Sequence, residues 1–355
     1  MLHKMIDYII IGQGLAGSLL AYQLLKKGKK IVILNDESLP TSSQVAGGMF
    51  NPMTGKNLSK TWLADELFPF MKKFYGNLET ELKAKLFYET NIYRPFVNEN
   101  QKQQFLAILQ TQNLEDYIHF IEHTNDYPLI KNPLGGLLTY QSGWVDVPLM
   151  LDLLRNFFIE KNVYFKEIFD LNKMQVIDNE VVYENFRAKK IVFCQGFYAT
   201  QNPIFNWLRF NPVKGETLLA TIENYSVSTI VNQGAWILPI KENLCRFGAT
   251  YTWQPLDWLP SESEKEYLLN RIHQFLKADY QIIDHQAGIR PATQDRRPFL
   301  GKHPAYENVF IFNGLGTKGV SLAPYLAEEM INFMENKKVL HPEMNIERYY
   351  ALYSL

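Results

Sequence analysis

The run Gly12-Gln13-Gly14-Leu15-Ala16-Gly17 constrains this chain more than any other feature. It follows an apolar stretch from Tyr8 to Ile11 and opens the segment SLLAYQLLKKG, whose apolar residues recur at helical spacing and which stops at Gly28. A second apolar run, Ile31 to Leu34, comes next. Strand, glycine turn, helix and strand within about 30 residues make a βαβ unit. In such a unit each glycine has a task. Gly12 allows the tight turn, Gly14 lets backbone N–H groups approach a pyrophosphate, and Gly17 lets the helix pack on the sheet. The helix N-terminus adds donors and a positive dipole. A dinucleotide site is therefore expected here. At the end of the second strand, where an acidic residue usually meets ribose hydroxyls, the chain reads Asn35-Asp36, and either side chain has an acceptor for them. The lysines at 26, 27, 29 and 30 read as a solvated helix end favoured by the dipole.

Residues 6–25 invite a signal-peptide or membrane reading, but Asp7, Gln13 and three glycines interrupt the apolar run. With 355 residues, 36 Lys+Arg against 37 Asp+Glu and 46% hydrophobic residues, roughly two folded domains are expected. The same balance excludes wholesale disorder and a grossly basic nucleic-acid binder. Two cysteines, Cys194 and Cys245, sit in strand-like surroundings, so neither a disulfide framework nor a metal site is expected, and a reducing cytoplasm is the natural compartment.

Residues 60–130 read as mainly helical, 136–146 as strand and turn, 147–161 as helix and 163–193 as short strands. Residues 216–252 alternate in the manner of an antiparallel sheet, and 261–276 are again helical. Val309 to Phe312 is a strand, Gly314 to Gly319 a glycine loop and Val320 to Met334 a helix. A further loop, Thr41 to Pro52, carries Ser42, Ser43, Gly47, Gly48 and Met49. By itself it is an ordinary Ser/Gly loop or a surface for phosphate and a flat ring.

Taken in order, the GxGxxG unit, SSQVAGG, IVFCQG, PVKGE, FGATY, GIRPATQDRRP and NGLGTKG cover nearly the whole chain. The set resembles the FAD-dependent D-amino-acid oxidase (DAO) superfamily, which includes glycine and sarcosine oxidases. Within it, AGGMFNPMTGKNLSKTW, YQSGWVD and GLGTKGVSLAPYLAEEM are similar to the FAD domain of the bifunctional tRNA enzyme that makes 5-methylaminomethyl-uridine. The methyltransferase half of that enzyme is not expected within these 355 residues.

The resemblance implies an α/β (α+β) architecture: a Rossmann-like FAD-binding domain, discontinuous over 1–85, 140–215 and 285–355, with a mixed-sheet substrate domain inserted from 86–139 and 216–284. It implies non-covalent FAD held by Gly12, Gly14, Leu15, Ala16, Gly17, Asn35, Asp36, Ser42, Ser43, Gly47, Gly48, Met49, Gly196, Gly314, Gly316, Thr317, Lys318 and Gly319. Lys318 is either a cation beside the flavin pyrimidine or a solvent-facing lysine. The implied chemistry is oxidation of the C–N bond of a small carboxylated amine by hydride transfer to flavin N5, oxygen being the expected acceptor. Arg290 matches the family arginine that clamps the substrate carboxylate; a pairing with Asp284 is its structural alternative. Phe50 and Tyr251, and Trp253 with them, either line the substrate pocket or serve packing. His285 reads as a structural histidine, and Arg296 and Arg297 as surface charges. No catalytic side chain beyond the flavin and no metal are implied. Two other readings stay open: a tRNA-acting oxidase that removes a carboxymethyl group, and a dehydrogenase that serves a quinone or carrier.

Overall fold

The computed structural model describes residues 4–55, 57–122, 127–225 and 227–353. The first strand, β1 (Lys4–Ile11), shows why the N-terminal sequence folds as it does. Its side chains alternate between two apolar clusters. Tyr8 and Ile10 join one, while Ile9 and Ile11 join the other. A strand covered on both faces reads as a continuous apolar run, which is the signature of a buried parallel strand. It pairs in parallel with β2 (Ile31–Asn35) on one side and with Phe186–Phe193 on the other. The helix α1 (Leu15–Lys26) returns the chain between them. Its terminal lysines are paired: Lys26 with Glu81, Lys27 with Glu328 and Lys29 with Glu335.

The first sheet has eight strands. Tyr164–Lys166 extends it beyond β2. Beyond Phe186–Phe193 the partner changes along the strand. Its start pairs with the antiparallel Glu180–Tyr183, and its end pairs in parallel with Tyr306–Asn313. The helices α2 (Ala64–Leu82), α4 (Val147–Glu160) and α6 (Gly319–Met334) join α1 over one face of this sheet, around Leu19, Leu67, Leu151 and Leu326. The helix α3 (Glu99–Thr111) buries Phe105 in a separate cluster.

The second sheet, also of eight strands, is mixed. Its longest pair is Val213–Ile222 with Tyr280–Arg290, antiparallel from Val213↔Arg290 to Ile222↔Tyr280. Leu244–Gly248 and Trp236–Lys241 follow antiparallel, and Ile230–Asn232 meets Ile92–Pro95 in parallel. The helix α5 (Glu262–Phe275) covers one face through Leu268, Ile272 and Phe275. The chain is thus α/β, with two large sheets and discontinuous segments in each.

Two expectations change. Residues 60–130 are not mainly helical: Phe87–Glu89, Ile92–Pro95 and Ile118–Ile121 are strands. Their partners, Gly143–Val145 for the first, Gly136–Thr139 and Ile230–Asn232 for the second and Gly136–Thr139 for the third, lie outside the segment, and pairing decides such short segments more than local propensity does. Residues 123–126 lie outside the described residues. The expected boundaries at 215/216 and 284/285 fall inside the continuous strands Val213–Ile222 and Tyr280–Arg290. Gly215 and Arg290 therefore stand on the second sheet. Among the described residues no helix is long and apolar enough to cross a membrane. Nor do any three His, Cys, Asp or Glu side chains form a group that could hold a metal.

Candidate active site

A cavity of about 320 Å³ runs from the carboxyl ends of β1 and β2 to the inner face of the second sheet. The carboxyl end of a parallel sheet is where such folds bind ligands. Gly12 turns the chain out of β1 at φ +97°, and a Cβ there would meet the Cys194 carbonyl oxygen at 2.8 Å. Gly17 is a packing glycine: its Cβ would lie 1.9 Å from the Gly12 oxygen, and it does not line the cavity. Gly14 is the N-cap of α1, with no side-chain cap. A Cβ at Gly14 would meet only the Ser43 hydroxyl, at 3.5 Å, so the space before it is open. Leu15 N–H donates to that hydroxyl at 3.2 Å. Gly14, Leu15 and Ala16 thus present the first turn of a helix to the cavity, where N–H groups lack intrahelical partners.

At the end of β2, Asn35 Oδ1 accepts from Gln13 N–H at 2.9 Å, and Asn35 Nδ2 donates to the Tyr164 hydroxyl at 3.1 Å. Asp36 Oδ1 accepts from the Ser38 amide and hydroxyl. Both residues line the cavity. Ser42, Ser43, Gly47, Gly48 and Met49 line it as well. Gly47 is required by Trp236, whose ring would lie 2.8 Å from an added Cβ. Gly48 takes φ +66° with the Val145 oxygen 1.9 Å from where a Cβ would stand. Arg246 Nη1 donates to the Val45 and Ala46 carbonyls at 3.3 and 3.4 Å and braces this loop from behind. Gly196, Gly316, Thr317 and Gly319 complete the wall.

Gly314 and Lys318 do not face the cavity. Gly314 is wedged against Thr293 and Phe299 at φ +73°. Lys318 Nζ donates to Thr61 Oγ1 at 3.2 Å, and burial together with Arg297 and Arg296 lowers its pKa. Neither reading made of Lys318, flavin cation or solvent lysine, describes that position. Phe50 is likewise a core residue, 4% exposed and stacked on Phe87 at 5.0 Å. Trp253 is exposed and lies off the cavity. His285 Nε2 stands 2.7 Å from the Glu216 carboxylate, on the side of the sheet away from the cavity lining.

Arg290 and Tyr251 form the far end. The Arg290 guanidinium lies 4.6 Å from the Tyr251 ring centre, within cation–π range. Its Nη1 donates to the Thr250 carbonyl at 3.2 Å and, at the limit, to the Lys214 carbonyl at 3.5 Å. Gly215 makes the room, since a Cβ there would come within 2.0 Å of Arg290 Nη2. Among the described residues no carboxylate lies within ion-pair distance of Arg290, and Asp284 is exposed elsewhere along the strand. Burial lowers the arginine's pKa, with Tyr251 opposing. A positive charge taken out of water without a counter-charge is costly, and a bound anion relieves that cost.

Several wall residues escaped the sequence. Gln13 is an unmarked position inside GxGxxG, and Gly215 lies in PVKGE without any local sign that it clears space for an arginine. Tyr198, Trp236 and Trp258 carry no local signal and arrive through remote pairing.

Residues 7–332 match the family described as DAO: FAD dependent oxidoreductase. The chain belongs to the DAO family. The family chain is 24% identical to glycine oxidase of Bacillus licheniformis, over 94% of each protein. It is 22% identical to the tRNA 5-methylaminomethyl-2-thiouridine biosynthesis bifunctional protein of Legionella pneumophila, over 93% of this chain and 54% of that one. It thus spans about half the length of that relative. In structure it matches glycine oxidase from Geobacillus kaustophilus with a TM-score of 0.82, at 20% identity and 98% coverage of both chains. The DAO-family cofactor fits the cavity: an open Gly14, an uncapped helix start and a run of hydroxyls and glycines suit the dinucleotide of FAD.

Proposed function

We propose that this DAO-family chain oxidises the C–N bond of a small amine bearing a carboxylate. The observation that carries the reading is Arg290, a partly buried guanidinium at the cavity end that meets carbonyls and a ring, with no carboxylate in ion-pair distance among the described residues. FAD, when bound, supplies the two-electron acceptor for the hydride lost from the substrate carbon. Gly12, Gly14, Leu15, Ala16, Ser42 and Ser43 would hold its pyrophosphate side. Asp36 is the better candidate for the ribose, since Asn35 is engaged at both ends of its amide. Gly47, Gly48, Met49, Gly316, Thr317 and Gly319 would flank the ring.

The remaining steps belong to the chain. The Arg290 fork takes the carboxylate in two parallel hydrogen bonds, which fixes the orientation of the α carbon. Tyr251 holds the guanidinium plane from one side, and the Thr250 carbonyl fixes its edge. No histidine or lysine lines the cavity among the described residues, so the amine gives its proton to solvent and reacts as the neutral base. The resulting imine leaves for hydrolysis by water. Oxygen is the proposed final acceptor.

The second reading is the tRNA one, favoured by the name of the Legionella relative and by the exposed ring of Tyr251 at the mouth. One anaerobic titration separates the readings. The FAD-loaded protein is mixed with glycine, sarcosine, proline, D-alanine or carboxymethylaminomethyl-uridine, and flavin absorbance is followed. Bleaching by a small amino acid supports the proposal, and readmitted oxygen then separates oxidase from carrier-linked dehydrogenase. Bleaching by the modified uridine alone replaces the proposal with the tRNA reading. No bleaching by any of them rejects both.

A further inference from the structure

Lys214 lies on the Val213–Ile222 strand beside Gly215, and its side chain leaves the opposite face of the sheet from the one Gly215 opens to Arg290. The side chain is 4% exposed, and the mechanism above does not use it. Its contacts converge on one segment, residues 249–261. The Lys214 backbone makes a two-way bridge with Thr252, each amide donating to the other carbonyl at 2.9 Å. Its ammonium reaches Asp257 Oδ1 at 2.6 Å and the Leu259 carbonyl at 2.5 Å. Glu216, fully buried two residues along, stands 3.2 Å from the same ammonium. It also accepts from the Ser261 amide at 3.0 Å, where the segment ends and α5 begins.

The two aromatic walls of the cavity mouth adjoin those anchors. Tyr251 precedes Thr252, and Trp258 lies between Asp257 and Leu259. Trp258 reaches across the mouth to Tyr198, with ring centres 5.9 Å apart and planes 18° off parallel. Tyr198 is in turn fixed by its hydroxyl to the Pro40 carbonyl at 3.1 Å. One lysine thus ties the base of each wall. Its main chain sets Tyr251, the ring that Arg290 lies over, and its side chain sets Trp258.

We propose that Lys214, with Asp257 as its counter-charge, is a positioning residue that holds two aromatic walls of the cavity in place, Tyr251 beside Arg290 and Trp258 beside Tyr198. An ion pair at the surface is worth little, but here one partner is buried and carries two further contacts, so the segment is pinned at one point. The ligand part of the test rests on the function proposed above; the part that reads backbone opening does not.

The variants are Asp257→Ala, which removes an exposed side chain, Asp257→Glu as the conservative rescue, and Lys214→Met. Because Lys214→Met leaves Glu216 without its cation and can fail to fold, the decision rests on Asp257→Ala. Hydrogen exchange of the FAD-loaded protein is followed across residues 249–261 and across the Val213–Ile222 strand. Expected is exchange about tenfold faster in the segment, unchanged exchange in the strand, and recovery in Asp257→Glu. Acetate serves as the carboxylate probe, its binding read from the flavin spectrum. Its Kd should rise about tenfold, the cost of re-ordering the loosened segment that carries Tyr251. Unchanged exchange in the segment overturns the latch. Faster exchange with an unchanged acetate Kd overturns the positioning role. If the wild-type protein does not bind acetate, the carboxylate reading fails, and the exchange result alone still decides the latch.

Discussion

Replacing Arg290 with methionine separates a binding arginine from a structural one, because the two predict opposite balances between affinity and stability. Methionine keeps length and apolar bulk beside Gly215 and removes the charge. Two hydrogen bonds disappear, at 3.2 and 3.5 Å, and with them the contact to the Tyr251 ring. Together these are worth about 2–4 kcal/mol, the longer bond contributing least. Against this, a guanidinium with no carboxylate within reach among the described residues no longer has to be kept from water, which returns several kcal/mol. The terms nearly cancel, so folding stability should change by no more than about 1 kcal/mol and Tm by no more than about 4 °C. Binding should behave differently. Removing one partner of a desolvated charge pair costs about 3 kcal/mol, or roughly 150-fold in affinity. The assay is a thermal melt of the FAD-loaded variant beside an acetate titration and, once a substrate is known, kcat/KM. Flavin content should be unchanged. A melt lowered by more than about 8 °C with undiminished acetate binding would refute the argument.

Three other outcomes follow from the same geometry. Gly14→Val should fold with near-normal circular dichroism yet retain no FAD after gel filtration, since its Cβ meets only the Ser43 hydroxyl while its bulk occupies the place of a pyrophosphate; full flavin occupancy would contradict the site. Cys194 and Cys245 should both resist iodoacetamide at pH 8 in the native protein, burial having pushed the Cys245 thiol up to about 12 and Cys194 higher still; mass spectrometry of the alkylated protein checks it. Asp295 is held below the usual carboxylate range: burial works to raise it, but the Arg297 amide and the Arg348 guanidinium at 2.9 Å outweigh that. Its contribution is therefore present above the unfolded value, about 3.9, and is lost as pH falls through the lower folded value. Asp295→Asn should lower stability at pH 7 and flatten its decline below about pH 4, as read by urea unfolding.

The parts of the site that were legible in the sequence are those where one local segment does the whole job. Gly12, Gly14 and Leu15 were readable because a strand, a turn and a helix start leave few choices of residue. Arg290 was readable through its motif, but its hydrogen bonds go to carbonyls of Lys214 and Thr250, which no local pattern announces. Phe50 stayed open between pocket and packing, and the position of Lys318 fitted neither reading, for the same reason. Whether an aromatic or a lysine faces a cavity depends on its partner, here Phe87 and Thr61, and those partners arrive from other parts of the chain. The strand Ile92–Pro95 was missed because its pairing with Ile230–Asn232 spans more than a hundred residues.

That β1, Phe186–Phe193 and Tyr306–Asn313 lie side by side has a consequence for how the protein is made. The cavity walls at Gly12, Gly196 and Gly316 each follow one of these strands, so the proposed cofactor cradle draws on the beginning, the middle and the end of the chain. During synthesis the first βαβ half emerges early, but the carboxyl-terminal half of Phe186–Phe193 keeps an unpaired edge until Tyr306–Asn313 leaves the ribosome. If FAD binds as proposed, its capture is thus a late event, and a chain stopped before Tyr306–Asn313 would present an apolar sheet with an open edge instead of a smaller flavoprotein.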